Sequence, residues 1–267
     1  MSAITAGRLS TTRVASDRIP LTRITLVELR KMLDTRSGFW VTASIGITAL
    51  LATAGVLVFT PDGQISYSTF AGAIRVPVVV ILPLVAILAV TSEWSQRTGL
   101  TTFTLIPHRH RVIAGKAMAS ISVAIAAMVF TFGVSALGNF AGAAITGSDL
   151  VWDVSLTEGL YYVLGMVLSL LVGFMFGVLI RASTGAIVAY FLYSLLLPGL
   201  LGWLAISQQW FADLQPWVDL AFAVGVLFSF GTALTGDQWA NIAVTASVWL
   251  VLPLLAGLRL VMRAEVK

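Results

Sequence analysis

Six long apolar segments separated by shorter polar ones dominate the chain. They lie near residues 39–59, 76–92, 117–137, 159–180, 185–206 and 240–258. A helix that crosses a bilayer needs about 20 mostly apolar residues. Segments of this length that recur along a chain are more typical of membrane spans than of buried helices in a soluble domain. The pattern therefore predicts an all-α integral membrane protein, with a six-helix transmembrane domain in residues 37–267.

Two shorter segments precede this domain. Residues 1–19 are polar and predict a cytoplasmic tail. Residues 20–36 read PLTRITLVELRKMLDTR, and Pro20 suits the first turn of a helix. At 100° per residue, one arc of that helix carries Leu21, Leu26, Leu29, Met32 and Leu33, and the opposite arc carries Arg23, Arg30, Lys31 and Asp34. This distribution predicts an amphipathic helix lying along the inner membrane surface.

The segment before the last span is apolar but interrupted. Residues 217–234 begin and end beside acidic residues and contain Gly225 and Gly231. We interpret this segment as a re-entrant or outer-leaflet helical segment, whose irregular backbone must pack against protein. The alternative is a seventh span, which would move the basic C-terminus to the outer side.

Charge is scarce and unevenly distributed. Charged residues make up 10% of the chain and hydrophobic residues 58%, whereas a soluble domain has about 25% charged residues. With six spans, fifteen of the 16 Lys and Arg residues fall on the side that holds both termini, and only Arg75 falls on the other. Basic residues are retained on the cytoplasmic side. We therefore expect a multi-pass protein with both termini cytoplasmic. The excess of Arg over Lys and the many alanines are typical of a GC-rich bacterial genome, so we expect the bacterial plasma (inner) membrane.

The segment TSEWSQRTGLTTFTLIPHRHRVIAGK (91–116) concentrates this charge between spans two and three. Glu93 and Arg97 are four residues apart, so on one helix they share a face and can form an ion pair. Gly99 and Pro107 each favour a break in the helix. We expect two short helical pieces joined by an elbow. The simpler interpretation is a basic loop that only sets the topology.

Together these two regions resemble the membrane subunits of ABC-2 type transporters. The resemblance rests on an ELRK patch in the amphipathic helix (residues 28–31), an acid followed by RTG (Glu93 and residues 97–99), and then Pro107, basic residues and Gly115-Lys116. It covers essentially the whole chain, including the count of six spans. The motifs are short, and their order and spacing are the stronger argument.

The resemblance implies a permease subunit of an ATP-driven exporter, coupled to a separate ABC ATPase subunit. That partner would bind ATP and Mg, and this chain would hold no cofactor and catalyse no reaction. The resemblance implies that a second permease copy or a paralogue completes the pathway through the bilayer. Residues expected at or near the ATPase-coupling surface are Arg30, Lys31, Glu93, Arg97, Arg109 and Arg111.

In the fifth span, Tyr190 and Tyr193 are three residues apart and face nearly the same way. With Pro198 they could line a path for an amphipathic or apolar substrate. An aromatic packing stripe is the favoured alternative.

The sequence argues independently that the motor is another chain. A phosphate-binding loop needs a glycine five residues before its GK and Ser or Thr after it. Around Gly115-Lys116 these positions hold His110 and Ala117.

Other functions compete with transport. A membrane scaffold without transport fits the same pattern. An intramembrane enzyme of the Glu-xxx-Arg protease type would need a second acid, where this chain has Ser92, and histidines in later helices. His108 and His110 are too few to form a metal site. An ion-coupled carrier would place charges at mid-depth in its spans, where this chain has none. No feature indicates a nucleic-acid partner.

Overall fold

The computed structural model describes residues 20–95, 109–231 and 233–263, and within them every regular element is helical. In chain order these are α1 (Leu21–Asp34), α2 (Arg36–Phe59), α3 (Tyr67–Ser95), α4 (Arg109–Thr146), α5 (Leu156–Ile180), α6 (Ser183–Ser207), α7 (Gln209–Val218), α8 (Leu220–Gly225) and α9 (Gly236–Arg263). Short 3₁₀ turns occupy Asp62–Gln64 and Val226–Phe228.

Six of these helices, α2 to α6 and α9, are long and apolar enough to cross a membrane. Each contains one of the six segments that the hydropathy pattern predicts. The observed helices extend further: α3 begins at Tyr67 rather than near residue 76, and α4 runs from Arg109 to Thr146. The difference arises because a helix can extend beyond its apolar segment at either end, and a hydropathy pattern marks only the apolar segment. The predicted tail (1–19) and most of the predicted elbow (96–108) lie outside the described residues.

The central helix is α3, which packs against α2, α4 and α5. Buried residues spaced four apart lie on one face of a helix, and two such faces meet where α3 contacts α5. They consist of Ile74, Val78, Leu82 and Ala86 on α3, and Tyr162, Met166, Leu170 and Phe174 on α5.

Glycines bring α3 and α5 close together. A Cβ added at Gly173 would overlap the backbone of Pro83, and one added at Gly177 would lie 3.1 Å from Cβ of Val90. These two glycines of α5, four residues apart, therefore serve close packing between helices.

The two ends of the bundle differ. One end, here called the α1 end, carries α1 and the chain near Ser95, Arg109, Ile180 and Arg263. The other, here called the opposite end, carries the loop at 147–155 and the pair α7–α8.

At the opposite end, Asp153 closes the start of α3. Its Oδ1 accepts a hydrogen bond from the amide of Ser68 at 2.8 Å. Burial favours protonation of Asp153, but hydrogen bonds from the Ser68 hydroxyl and amide outweigh it and hold the pKa of this carboxyl below its ordinary value.

Between α6 and α9 the chain forms a bent pair of short helices. The axes of α7 and of the segment Leu220–Phe228 meet at 72°, a geometry that suits either a broken span or a re-entrant segment. Asp219 lies at the bend, where its Oδ1 accepts a hydrogen bond from the amide of Phe222 at 3.1 Å. The indole nitrogen of Trp249 donates to the carbonyl oxygen of Val218 at 2.7 Å, which ties the bend to α9.

Two spans contain a π turn, at Leu192–Leu196 in α6 and Ser247–Val251 in α9. Each π turn ends two residues before a proline, Pro198 or Pro253. Proline donates no hydrogen bond and its ring clashes with the carbonyl four residues earlier. A wider turn at that point relieves the clash without breaking the helix.

We expect Gly173→Ala to destabilise the bundle, because its new methyl group overlaps the backbone of Pro83. Overpacking of this kind costs about 1–3 kcal/mol. Gly159→Ala is the matched control in the same helix, since a Cβ there meets no atom within 4 Å and alanine favours a helix by about 0.5–1 kcal/mol. Thermal unfolding in detergent measures both, and equal midpoints would contradict the packing assignment.

Candidate functional site

The first candidate site lies where α1 packs against α4 and the end of α3. We call it the α1 junction and define it by Glu28 and Lys31 of α1, Ala89 of α3, and Gly115 and Lys116 of α4. It joins two of the motifs that the sequence singles out, the ELRK patch and the Gly115-Lys116 pair.

The face of α1 that packs differs from the leucine arc that the sequence predicts. The buried residues are Ile24, Thr25, Glu28 and Met32. Leu26 is 61% exposed, and Leu33 is also exposed. The packed face thus lies between the leucine arc and the basic arc, because α4 offers a cation and space there.

Gly115 provides that space. A Cβ at this position would lie 2.6 Å from Cγ2 of Ile24 and 3.6 Å from the backbone nitrogen of Thr25. The backbones of α1 and α4 can approach only because residue 115 has no side chain. Met32 then completes a small apolar cluster with Val85, Ala89, Ala119 and Val123.

A buried ion pair forms the centre of the junction. Nζ of Lys116 lies 2.6 Å from Oε2 of Glu28, and the two side chains are only 3% and 5% exposed. Nζ of Lys31 lies 2.7 Å from the other carboxylate oxygen, Oε1. Both oxygens of this buried carboxylate are therefore matched by cations, which buried charge requires.

The Lys116 ammonium also reaches the third helix. It donates a hydrogen bond to the carbonyl oxygen of Ala89 at 3.0 Å. One ammonium on α4 thus links α1 to the last turns of α3. Sequence reasoning quoted Glu28 and Lys116 as motif residues but omitted both from the expected coupling surface. The available signal was Lys116, an isolated charge among apolar residues whose nearest charged neighbour in sequence is Arg111.

The predicted coupling residues take different positions. Arg30 is exposed on α1, and Lys31 belongs to the junction. Arg111 is half-buried in the first turn of α4. The backbones of Glu93 and Arg109 lie in the last turn of α3 and the first turn of α4, but their side chains lie outside the described part of the structure. Arg97, and with it the expected Glu93–Arg97 pair, also lies outside.

The second candidate site is a cavity of about 380 Å³ between α3, α5, α6 and α8, which we call the Arg75 cavity. Its lining is almost entirely apolar. Arg75, Ser169, Tyr190, Tyr193 and Ser194 contribute its polar groups.

Both predicted tyrosines line this cavity and also pack. The hydroxyl of Tyr190 donates to the carbonyl oxygen of Val79 at 3.3 Å. The ring of Tyr193 lies 5.6 Å from that of Phe176 and 5.9 Å from that of Trp249, between centroids. Pro198 instead borders a second cavity of about 520 Å³, beside Gln215 and Asp219. The structure therefore brings two of the three proposed path residues together.

Comparison with known protein families and with curated proteins gives no match for this chain. Among the described residues no group of three or more His, Asp or Glu is arranged to hold a metal ion.

We expect the Glu28–Lys116 pair to show strong coupling in a double-mutant cycle. Glu28→Leu removes the carboxylate that buried Lys116 binds at 2.6 Å, and Lys116→Met removes the buried cation from Glu28. Each single change should cost about 3–5 kcal/mol, whereas the double change removes both charges and should cost much less than their sum. Thermal unfolding of the four proteins gives the coupling, and additive losses would contradict it.

Proposed function

We propose that this chain is the transmembrane permease subunit of an ATP-driven exporter of the ABC-2 type, coupled to a separate ATPase subunit. The observation that carries the proposal is the buried Glu28–Lys116 pair at 2.6 Å. It ties the amphipathic helix to the two helices that flank the charged segment 96–108. In the proposal, α1 and the segment 96–108 form the contact surface for the ATPase subunit.

The junction supports coupling in physical terms. A displacement of α1 acts on α4 through the ion pair and on α3 through the Ala89 carbonyl. At 1.5 Å per residue, α3 is about 43 Å long and α4 about 57 Å, enough to carry a displacement across a bilayer. Arg30 lies exposed on α1 two residues from Glu28, where a partner could contact it.

Charge supports the orientation that the proposal needs. The α1 end carries nearly all of the basic residues and is proposed to be cytoplasmic. There the exposed Leu26 and Leu33 of α1 would enter the inner membrane surface. The bent pair α7–α8 is proposed to be re-entrant from the outer side, which keeps the end of α9 cytoplasmic.

Exposure supports a second permease copy or a paralogue. Of the most apolar 18-residue windows of α2 and α6, only 17% and 6% are buried, against 50% for α3 and α5. Large apolar side chains such as Trp40 on α2 and Trp203 on α6 are exposed. Either lipid or a second permease subunit would cover these helices, and the proposal assigns part of them to the second subunit.

The proposal is tested by purifying the tagged chain from its native host in mild detergent. We expect a stoichiometric partner with Walker motifs and ATPase activity in the same fraction. An oligomer of this chain alone, without nucleotide hydrolysis, would contradict the proposal and favour a membrane scaffold.

The contact surface is tested on that complex by charge reversal. We expect Arg30→Glu to weaken retention of the ATPase subunit at least tenfold. In the proposal the basic face of α1 meets acidic residues of the partner, and a glutamate facing them would cost several kcal/mol. Arg259→Glu is the matched control, since Arg259 is exposed at the same end of the bundle but on α9. Equal retention in both variants would contradict the assignment of Arg30.

A further inference from the structure

Arg75 carries a charge that the described protein does not compensate. It lies in α3 about 12 Å along the axis from Tyr67 and is half-buried. Its guanidinium carbon lies 4.9 Å from the centroid of the Phe228 ring. No carboxylate of a described residue forms an ion pair with it.

Three acids toward the opposite end of the bundle have other partners. Asp153 binds the start of α3 through Ser68. Glu158 accepts hydrogen bonds from Ser155 and from the amide of Gly231. Asp219 binds the amide of Phe222 and the side chain of Gln215. A cation within an apolar segment is costly unless a counter-charge offsets it, and these carboxylates are engaged as helix caps.

The cavity beside Arg75 has the size and lining of a ligand site. Its volume of about 380 Å³ falls within the range of about 300–1,000 Å³ usual for small-molecule pockets. Two of its lining residues, Val76 and Leu195, are 62% and 61% exposed. The cavity therefore opens at the lateral surface of the bundle, where lipid lies if the helices span a membrane.

We propose that the Arg75 cavity binds an anionic amphiphile that enters from the bilayer. The guanidinium of Arg75 holds a carboxylate or phosphate headgroup, for which its planar fork of donors is suited. One alkyl chain of the ligand occupies the apolar cavity. Binding requires this chain alone, so the inference stands whether or not an ATPase subunit associates with it.

The position of Arg75 sets the direction of the ligand. Among the α3 residues that line the cavity, Arg75 is nearest the opposite end, and Val79 and Val80 lie deeper in the bundle. Tyr190 lies at the level of Val79, to whose carbonyl it donates. The headgroup therefore lies toward the opposite end and the alkyl chain points toward the middle of the bundle.

Two simpler ligands fit the site less well. A neutral hydrocarbon would fill the cavity but leave the guanidinium without a counter-charge. A free anion such as phosphate would offset the charge but leave apolar walls such as Leu168, Val172 and Val224 without a partner. An anionic headgroup joined to an alkyl chain satisfies both parts of the site.

The test is native mass spectrometry of the purified chain in a neutral sterol-type detergent, which has no alkyl chain to compete. Dodecanoate and dodecanol are titrated in parallel, because they share a chain length and differ in charge. We expect one dodecanoate per chain, and binding of dodecanol at least tenfold weaker.

Two variants separate the charge from the cavity. Arg75→Gln should weaken dodecanoate at least tenfold and leave dodecanol unchanged. Gly225→Leu should block both ligands, since Gly225 lines the cavity and a Cβ there meets no atom within 4 Å. Gly72→Leu is the matched control, with equally open space on α3 outside the cavity.

Either of two results would overturn the inference: equal affinity for dodecanoate and dodecanol, or anion binding that Gly225→Leu leaves intact. Competition with phosphatidylglycerol then identifies the source of the ligand. Displacement of dodecanoate would assign the site to a membrane phospholipid. A lack of displacement would assign it to single-chain amphiphiles, and both results uphold the site.

Discussion

The carboxylate of Glu28 is buried, and the desolvation free energy of a buried charge is offset only by close partners of opposite sign. Lys116 and Lys31 supply those partners, one on each oxygen. Because the same Lys116 ammonium binds the carbonyl of Ala89, one charge fixes the positions of three helices. Gly115 is required for the same reason, since any side chain there would push Ile24, and with it the carboxylate, away from the lysine. The orientation of the exposed face of α1 depends on this arrangement.

Helix α3 contributes residues both to the α1 junction and to the Arg75 cavity. Ala89 of the junction and Arg75 of the cavity are fourteen residues apart on α3, or about 21 Å along its axis. Between them Pro83 is packed against Gly173 of α5. A closely packed helix therefore connects the place where α1 is held to the place where we propose that a ligand binds. Helix α8 of the bent pair supplies the remaining wall of the cavity. Trp249 holds the bend before it to α9. This makes the irregular segment a structural part of the site.

Local patterns predicted most of the fold, because membrane spans and amphipathic helices are encoded in neighbouring residues. Six helices long and apolar enough to cross a membrane, and the helix over Leu21–Asp34, follow from them. The Glu28–Lys116 pair does not, because its partners are 88 positions apart and no local pattern states which distant charges meet. The face of α1 that packs against the bundle does not follow from its own sequence either, since Gly115 and Lys116 decide it from another helix. Tyr190 and Tyr193 line one cavity, whereas Pro198 borders a separate one, about 12 Å further along the helix from Tyr190.

The two π turns meet in the bundle, because Tyr193 of the first packs against Trp249 of the second. A π turn holds one residue more than an α turn, so the angular position of everything that follows shifts by about 100°. A single helical wheel drawn through α6 or α9 therefore misplaces every side chain on the far side of its π turn. Each of these two helices therefore consists of two halves whose side chains follow separate angular phases. Either π turn is the natural place for a one-residue insertion or deletion relative to a regular helix.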